Sequence, residues 1–320
     1  MKASANGRCF FLYLYFMAKN SSEGKGPIGL FDSGVGGLTV AHALHTLLPN
    51  EQLVYFGDTA HLPYGDKSRE SIVQYSLGIT DFLLEQQCKV ILIACNSASA
   101  NAFNEVKTHV GDRAVVMNVI DPVVNHVCLD IGAAALSSEG TLPIEKSNPR
   151  TVGIIGTKAT IDSGTYERKI KETLAAFLAN SNEISTVSHP GINVSSLATP
   201  LFVPMIEEGF VFDDISNAII RSYLSRKELV GIDSLILGCT HYPIIRNQIS
   251  RFLNFEVNVL DTAQIVAQSV QHFLAENDLL ATQKAGDNQF YVSDRTPYFE
   301  VIANIFFNEK ISLEKRNIWV

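Results

Sequence analysis

Two short apolar runs constrain this chain more than any other feature, because each ends on a cysteine followed by a small polar residue. The first is Lys89-Val90-Ile91-Leu92-Ile93-Ala94-Cys95-Asn96-Ser97, and the second is Ser234-Leu235-Ile236-Leu237-Gly238-Cys239-Thr240-His241. Unbroken aliphatic runs of this length, bounded by polar residues, read as buried strands of a parallel sheet. A strand that stops at a thiol presents that thiol at the carboxyl edge of the sheet, where open α/β folds bind their ligands. Two thiols in two similar settings predict one site made of two mirrored halves. Such a site suits a reaction that takes a proton from one face of a carbon and returns it to the other.

The rest of the chain supplies the elements such a site needs. Residues 27–32 read as a strand, 33–37 as a glycine-rich loop and 38–48 as a helix; a second strand covers 53–58, a loop 59–68 and a long helix 69–87. The strand before Cys95 leads into a helix through Lys107, and Ala114 to Ile120 reads as a strand ending at Asp121-Pro122. This βαβαβαβ order implies a parallel sheet with right-handed crossovers. Leu136 to Arg150, rich in Ser, Gly and Pro, reads as a loop or insertion, after which the pattern restarts. A strand at 151–157, helices at 166–178 and 213–227, the strand before Cys239 and a strand at 257–261 ending in Asp261 follow. Cys95 lies 26 residues before Asp121 and Cys239 lies 22 before Asp261, so the halves read as a diverged repeat. The expected fold class is α/β, with two similar α/β domains whose parallel-sheet cores face each other across a cleft in pseudo-two-fold relation.

Bulk composition narrows the function classes. Over 320 residues, 46% apolar and 18% charged content fits a globular enzyme and excludes wholesale disorder. A net charge of −8, with no basic patch interleaved with aromatics, gives no nucleic-acid footprint. Five cysteines at 9, 88, 95, 128 and 239 are odd in number and lack any CxxC, which argues against a disulfide framework or a zinc site and for reduced thiols in the cytoplasm. No metal or other cofactor is expected. The apolar run Cys9 to Ala18 is too short to span a bilayer, so no membrane partner is expected. Three readings stay open for residues 1–25: a mis-assigned start or tail, a cytosolic extension with a regulatory role, and an export signal, the last disfavoured by the free thiols. Sheet-edge and surface apolar features point to a homodimer.

Cysteine serves as a carbon-acid base when its thiolate is favoured by a helix N-terminus or a nearby cation. Asn96-Ser97-Ala98-Ser99-Ala100 after Cys95 makes a good helix start. Thr240, His241 and Pro243 follow Cys239, and Pro243 suits a first helical turn. Asp32-Ser33-Gly34-Val35-Gly36-Gly37 resembles a glycine loop that offers backbone N–H groups to an anion, yet fails the dinucleotide fingerprint at Thr39. Tyr64, in the loop Pro63-Tyr64-Gly65, could hydrogen-bond a carboxylate or be an ordinary loop tyrosine. From spacing alone Glu207 and Glu208 read first as a solvated helix face, with a catalytic role as the lesser alternative. His241 is the histidine best placed to assist a proton transfer; His42, His45, His61, His109, His126, His189 and His272 have no such context.

Five segments together closely resemble the glutamate racemase family: Gly29 to Gly37, the Asp58…Pro63-Tyr64-Gly65 loop, Ala94 to Ser99, Phe202 to Glu207, and Leu237 to Pro243. The resemblance covers about residues 27–310. It implies cofactor-independent interconversion of L- and D-glutamate, supplying D-glutamate for peptidoglycan. It also implies a tail at 1–25, one domain built from 26–121 with 268–320, and a second from 122–267. Cys95 would act on D-glutamate and Cys239 on L-glutamate, with Asp32 assisting Cys95, and His241 and Glu207 assisting Cys239. Ser33, Pro63, Tyr64, Gly65, Asn96, Ser97 and Thr240 would hold the substrate. The family often has Thr at the place of Ser97, which keeps the hydroxyl, and Cys at the place of Thr199, which is not one of the two bases. In some similar enzymes an amino-terminal extension takes part in activation by a cell-wall precursor, an expectation carried here to residues 1–25. Rival readings are an aspartate or hydantoin racemase, a cysteine hydrolase using one thiol, and a binding protein that kept the fold.

Overall fold

The computed structural model describes residues 26–137, 150–180, 192–284 and 286–319. The expected amino-terminal extension, and 138–149 of the expected insertion, lie outside them. Two sheets, parallel throughout, carry the fold. The first has six strands in the order β10-β9-β2-β1-β3-β4, formed by β1 (Ile28–Asp32), β2 (Leu53–Gly57), β3 (Val90–Ile93), β4 (Val115–Asn118), β9 (Gln289–Val292) and β10 (Glu314–Lys315). The second has four in the order β6-β5-β7-β8, formed by β5 (Arg150–Gly156), β6 (Ile192–Ala198), β7 (Ser234–Gly238) and β8 (Asn258–Val259). The helices are α1 (Leu38–Leu47), α2 (Arg69–Glu85), α3 (Asn96–Val110), α4 (Ile120–Ser137), α5 (Lys158–Asp162), α6 (Thr165–Asn180), α7 (Phe202–Glu207), α8 (Asp214–Leu224), α9 (Arg246–Phe252), α10 (Thr262–Glu276) and α11 (Pro297–Phe307).

Strand order locates the site before any side chain is considered. In the first sheet the chain runs from β1 outward to β2, then crosses back to β3 on the other side of β1. In the second it runs from β5 to β6, then crosses to β7 on the other side of β5. Each reversal opens a crevice beyond the carboxyl ends of the two strands that flank it, because the following connections diverge to opposite faces. The flanking strands end at Asp32 and just before Cys95 in one half, and just before Thr157 and Cys239 in the other. The repeat expected from the cysteine spacing is thus a repeat of topology.

Packing joins the halves. Alternate residues of the first sheet face opposite ways: Phe31, Ile91 and Ile93 pack in a core with α2 and α3. Ile28, Leu30, Val90 and Leu92 belong to a second core that continues into Ile154, Leu235 and Leu237 of the other sheet. Helix α1 packs on α10 within this shared core. Opposed sheet edges supported by one continuous close-packed interior hold their end residues in fixed register.

Several local expectations are corrected. The strand expected through Ile120 stops at Asn118, whose side-chain oxygen accepts the backbone N–H groups of Ile120 and Asp121 and so starts α4 with Pro122 in its first turn. Asp121 is therefore helical. Asp261 caps α10 through the N–H of Gln264. Strand β6, with Asn193, Ser195 and Ser196, lacks an apolar run because it is a sheet edge. The four residues of β9 and the two of β10 carry no pattern long enough to read. No helix among the described residues is long and apolar enough to cross a membrane.

Candidate active site

Cys95 caps α3 with an extended backbone, φ −75° and ψ 125°. Its sulfur takes hydrogen bonds from the backbone N–H of Ala98 and from Ser33. The helix N-terminus was expected to favour the thiolate, but the balance goes the other way. Burial, reinforced by the neighbouring Asp32 carboxylate, pushes the Cys95 thiol up to about 12. Asp32, at the end of β1, is fully buried and accepts the N–H of Gly34 at 3.1 Å. Burial raises its pKa too, against the opposing pull of His241 and of N–H bonds from Gly37 and Gly34. Two acids lie close together away from water at Cys95, and its protonated thiol is the stable form.

Cys239 follows β7 in a different setting. Pro243 sits in the first turn of a 3₁₀ helix at Tyr242–Ile245, and α9 follows from Arg246. The cation comes from a side chain. His241 Nδ1 lies 3.7 Å from Cys239 Sγ, and its Nε2 lies 2.9 Å from Glu207 Oε1 at the end of α7. Burial by itself would lower the imidazole, but the hydrogen bonds and charges of Cys239 and Glu207 outweigh it and hold His241 up at about 10. Sequence spacing had favoured a solvated role for Glu207; it faces the buried ring instead. Glu207–His241–Cys239 is a relay with the geometry that orients and charges an imidazole beside a thiol.

Close approach of the halves depends on Gly36. A Cβ there would fall 2.4 Å from the Cε1 and Nδ1 atoms of His241 and 2.7 Å from the hydroxyl of Thr240. Gly36→Ala is expected to cost about 1–3 kcal/mol of strain and to lower kcat/KM roughly tenfold by displacing His241. Steady-state kinetics beside a far-ultraviolet dichroism spectrum check this; wild-type kinetics would show that the ring tolerates the methyl.

One cavity of about 400 Å³, counting its mouth, receives both thiols. Ser33, Pro63, Tyr64, Gly65, Asn96, Ser97, Glu207, Thr240 and His241 also line it. Asp32 does not; it stands behind Cys95 and the hydroxyl of Thr240, which is 3.5 Å from its Oδ1. Tyr64 corrects the expectation placed on its hydroxyl, which donates to buried Asp58 at 2.7 Å and is not available to a carboxylate. The Asn96 side-chain oxygen accepts the hydroxyl of Tyr166 at 2.8 Å, which sets the amide's orientation. Sequence reasoning missed Thr157, which also lines the cavity and meets Ser97 across the halves at 2.9 Å. The signal that could have found it is the repeat, since Thr157 follows β5 as Ser33 follows β1. Leu62 and Val203, apolar wall residues, carried no such signal.

Comparison with known proteins gives the family of the chain. The family model described as Asp/Glu/Hydantoin racemase matches residues 38–270. The chain belongs to this racemase family. Among relatives, the glutamate racemase of Geobacter metallireducens is 36% identical over 89% of this chain and 93% of its own length, and that of Aquifex aeolicus is 35% identical over 89% and 95%. A solved structure of Francisella tularensis glutamate racemase in complex with D-glutamate is 34% identical, covers 92% of this chain and 98% of that one, and superposes with a TM-score of 0.76. Racemase family membership gives the chain its chemistry class: isomerisation at a carbon stereocentre.

Proposed function

We propose that this chain interconverts L- and D-glutamate by a two-base reaction without a cofactor, in the cytoplasm, supplying D-glutamate for peptidoglycan. The observation that carries the reading is that both thiols open on one cavity from the edges of two opposed sheets, each with a different acid–base partner. Cys239, paired with protonated His241, is poised as the base that takes the α-proton of L-glutamate. Cys95, held as a thiol by burial and Asp32, is poised as the acid that delivers a proton to the opposite face. For D-glutamate the roles reverse, with Asp32 assisting Cys95. Ser33, Asn96, Ser97 and Thr240, with the backbone at Tyr64 and Gly65, supply polar contacts for the amino group and carboxylates. Donors aimed at the α-carboxylate stabilise the charge that develops when the α-carbon loses its proton. Closing this site between two sheets excludes water, which strengthens each of these contacts.

The test is incubation of the purified protein with L-glutamate in D2O, with EDTA and without pyridoxal phosphate, following chirality and α-deuterium together. D-glutamate labelled at the α-carbon is expected. Exchange with aspartate but not glutamate would move the assignment to a sibling racemase, and a covalent acyl intermediate on a single cysteine would move it to a hydrolase.

A further inference from the structure

The last residues described, up to Trp319, reach back to the substrate loop. Trp319 donates its indole N–H to Asp58 Oδ1 at 3.0 Å. Asp58 is fully buried and also accepts the hydroxyl of Tyr64 at 2.7 Å and of Ser293 at 2.8 Å. His61 Nδ1 lies 3.0 Å from both of its oxygens. The Trp319 ring stands edge-on to His61 and Tyr75, with centroids 4.8 and 5.6 Å apart. A space is kept for it: a Cβ at Gly78 would fall 2.7 Å from the indole. Ser293 and Asp294, just past β9, clasp the same turn through the N–H of Ala60 and the hydroxyl of Thr59.

We infer that Trp319 is a positioning residue for the ligand: by fixing the Asp58 carboxylate it holds Tyr64, and with it the Tyr64-Gly65 wall of the cavity, in place. Three hydrogen-bond donors and one imidazole converge on a single buried carboxylate, so loss of one donor lets the others rearrange. Of these partners only Tyr64 reaches the cavity. Its ring is wholly buried and its hydroxyl is tied, so the place of the loop is set by where Asp58 sits. The carboxyl-terminal segment, distant in sequence, thereby sets the shape of a substrate wall without touching substrate.

The inference rests on the reading of glutamate as the ligand. The test is Trp319→Phe, which keeps an aromatic ring on His61 and Tyr75 but removes the N–H. The expected result is a KM for glutamate raised on the order of tenfold, with kcat falling by a smaller factor, in a variant that still unfolds cooperatively but at a lower thermal midpoint, because a hydrogen bond to a buried carboxylate is lost. Unchanged KM in a folded variant would overturn the inference. Should the variant not fold, the wild-type protein supplies the readout, because Trp319 is its sole tryptophan. Titration with glutamate is expected to change the indole emission saturably with a midpoint near KM, and a flat emission would overturn the inference. If wild-type protein turns over no glutamate at all, the proposed function fails first, and the two failures are told apart.

Discussion

Replacing Cys95 or Cys239 by alanine is expected to abolish racemisation, lowering kcat/KM on the order of a thousandfold or more. Each change removes the thiol that exchanges a proton with the α-carbon on its side of the cavity in the proposed reaction. The two variants should fail in different ways. Without Cys95, Cys239 with its His241 partner can still take the α-proton of L-glutamate and return a deuteron to the same face. L-glutamate then acquires α-deuterium in D2O without forming its enantiomer. Without Cys239 the same one-sided exchange is expected for D-glutamate. Chiral chromatography with mass detection reads both outcomes. A variant that racemises at the wild-type rate would eliminate the two-base account.

His241→Asn is expected to lower kcat/KM about a hundredfold, because asparagine cannot carry the proton that pairs with Cys239. The fall must be equal in the two directions, since enantiomers have the same free energy and the equilibrium constant is unity whatever the enzyme. Directional information sits in the pH profile. In the wild-type protein burial opposes the charge on His241, but Cys239 and Glu207 hold its pKa at about 10. The ring therefore stays protonated across the neutral range, and activity is expected to decline as the pH rises through about 10. His241→Asn should lack that alkaline limb. The sign for stability follows from the same shift. A pKa raised from 6.5 in the folded state means that the protonated ring contributes fully below pH 6.5, and that this contribution disappears as the pH climbs through about 10. An identical alkaline limb in both proteins would assign it to another group.

The Cys95 thiol at about 12 shows why local sequence was a poor guide to electrostatics. A helix N-terminus is written in Asn96-Ser97-Ala98-Ser99, and its stabilising effect on an anion is modest and confined to the first turn. How much water the folded chain removes from that sulfur is not written there, and burial shifts a pKa by more. The same reasoning separates Glu207 from Glu208. Neighbours in sequence, they are equivalent by composition, but only Glu207, the last residue of α7, meets the His241 ring.

By itself the sequence determined the parts that depend on short-range pattern. Aliphatic runs closed by Cys95 and Cys239 pointed to two parallel-sheet edges with a thiol at each, the glycine loop after Asp32 offered backbone N–H groups at a helix start, and the spacing of the cysteines pointed to a repeat. Tertiary structure alone decided which surfaces meet. It brought Thr157 to Ser97 across the cleft, turned the Tyr64 hydroxyl away from the cavity onto Asp58, and carried Trp319 back over 261 positions to the same carboxylate. The physical reason is that periodicity reports which face of an element is buried, whereas hydrogen-bond partners far apart in sequence are selected by the packing of whole layers, and no local pattern encodes that.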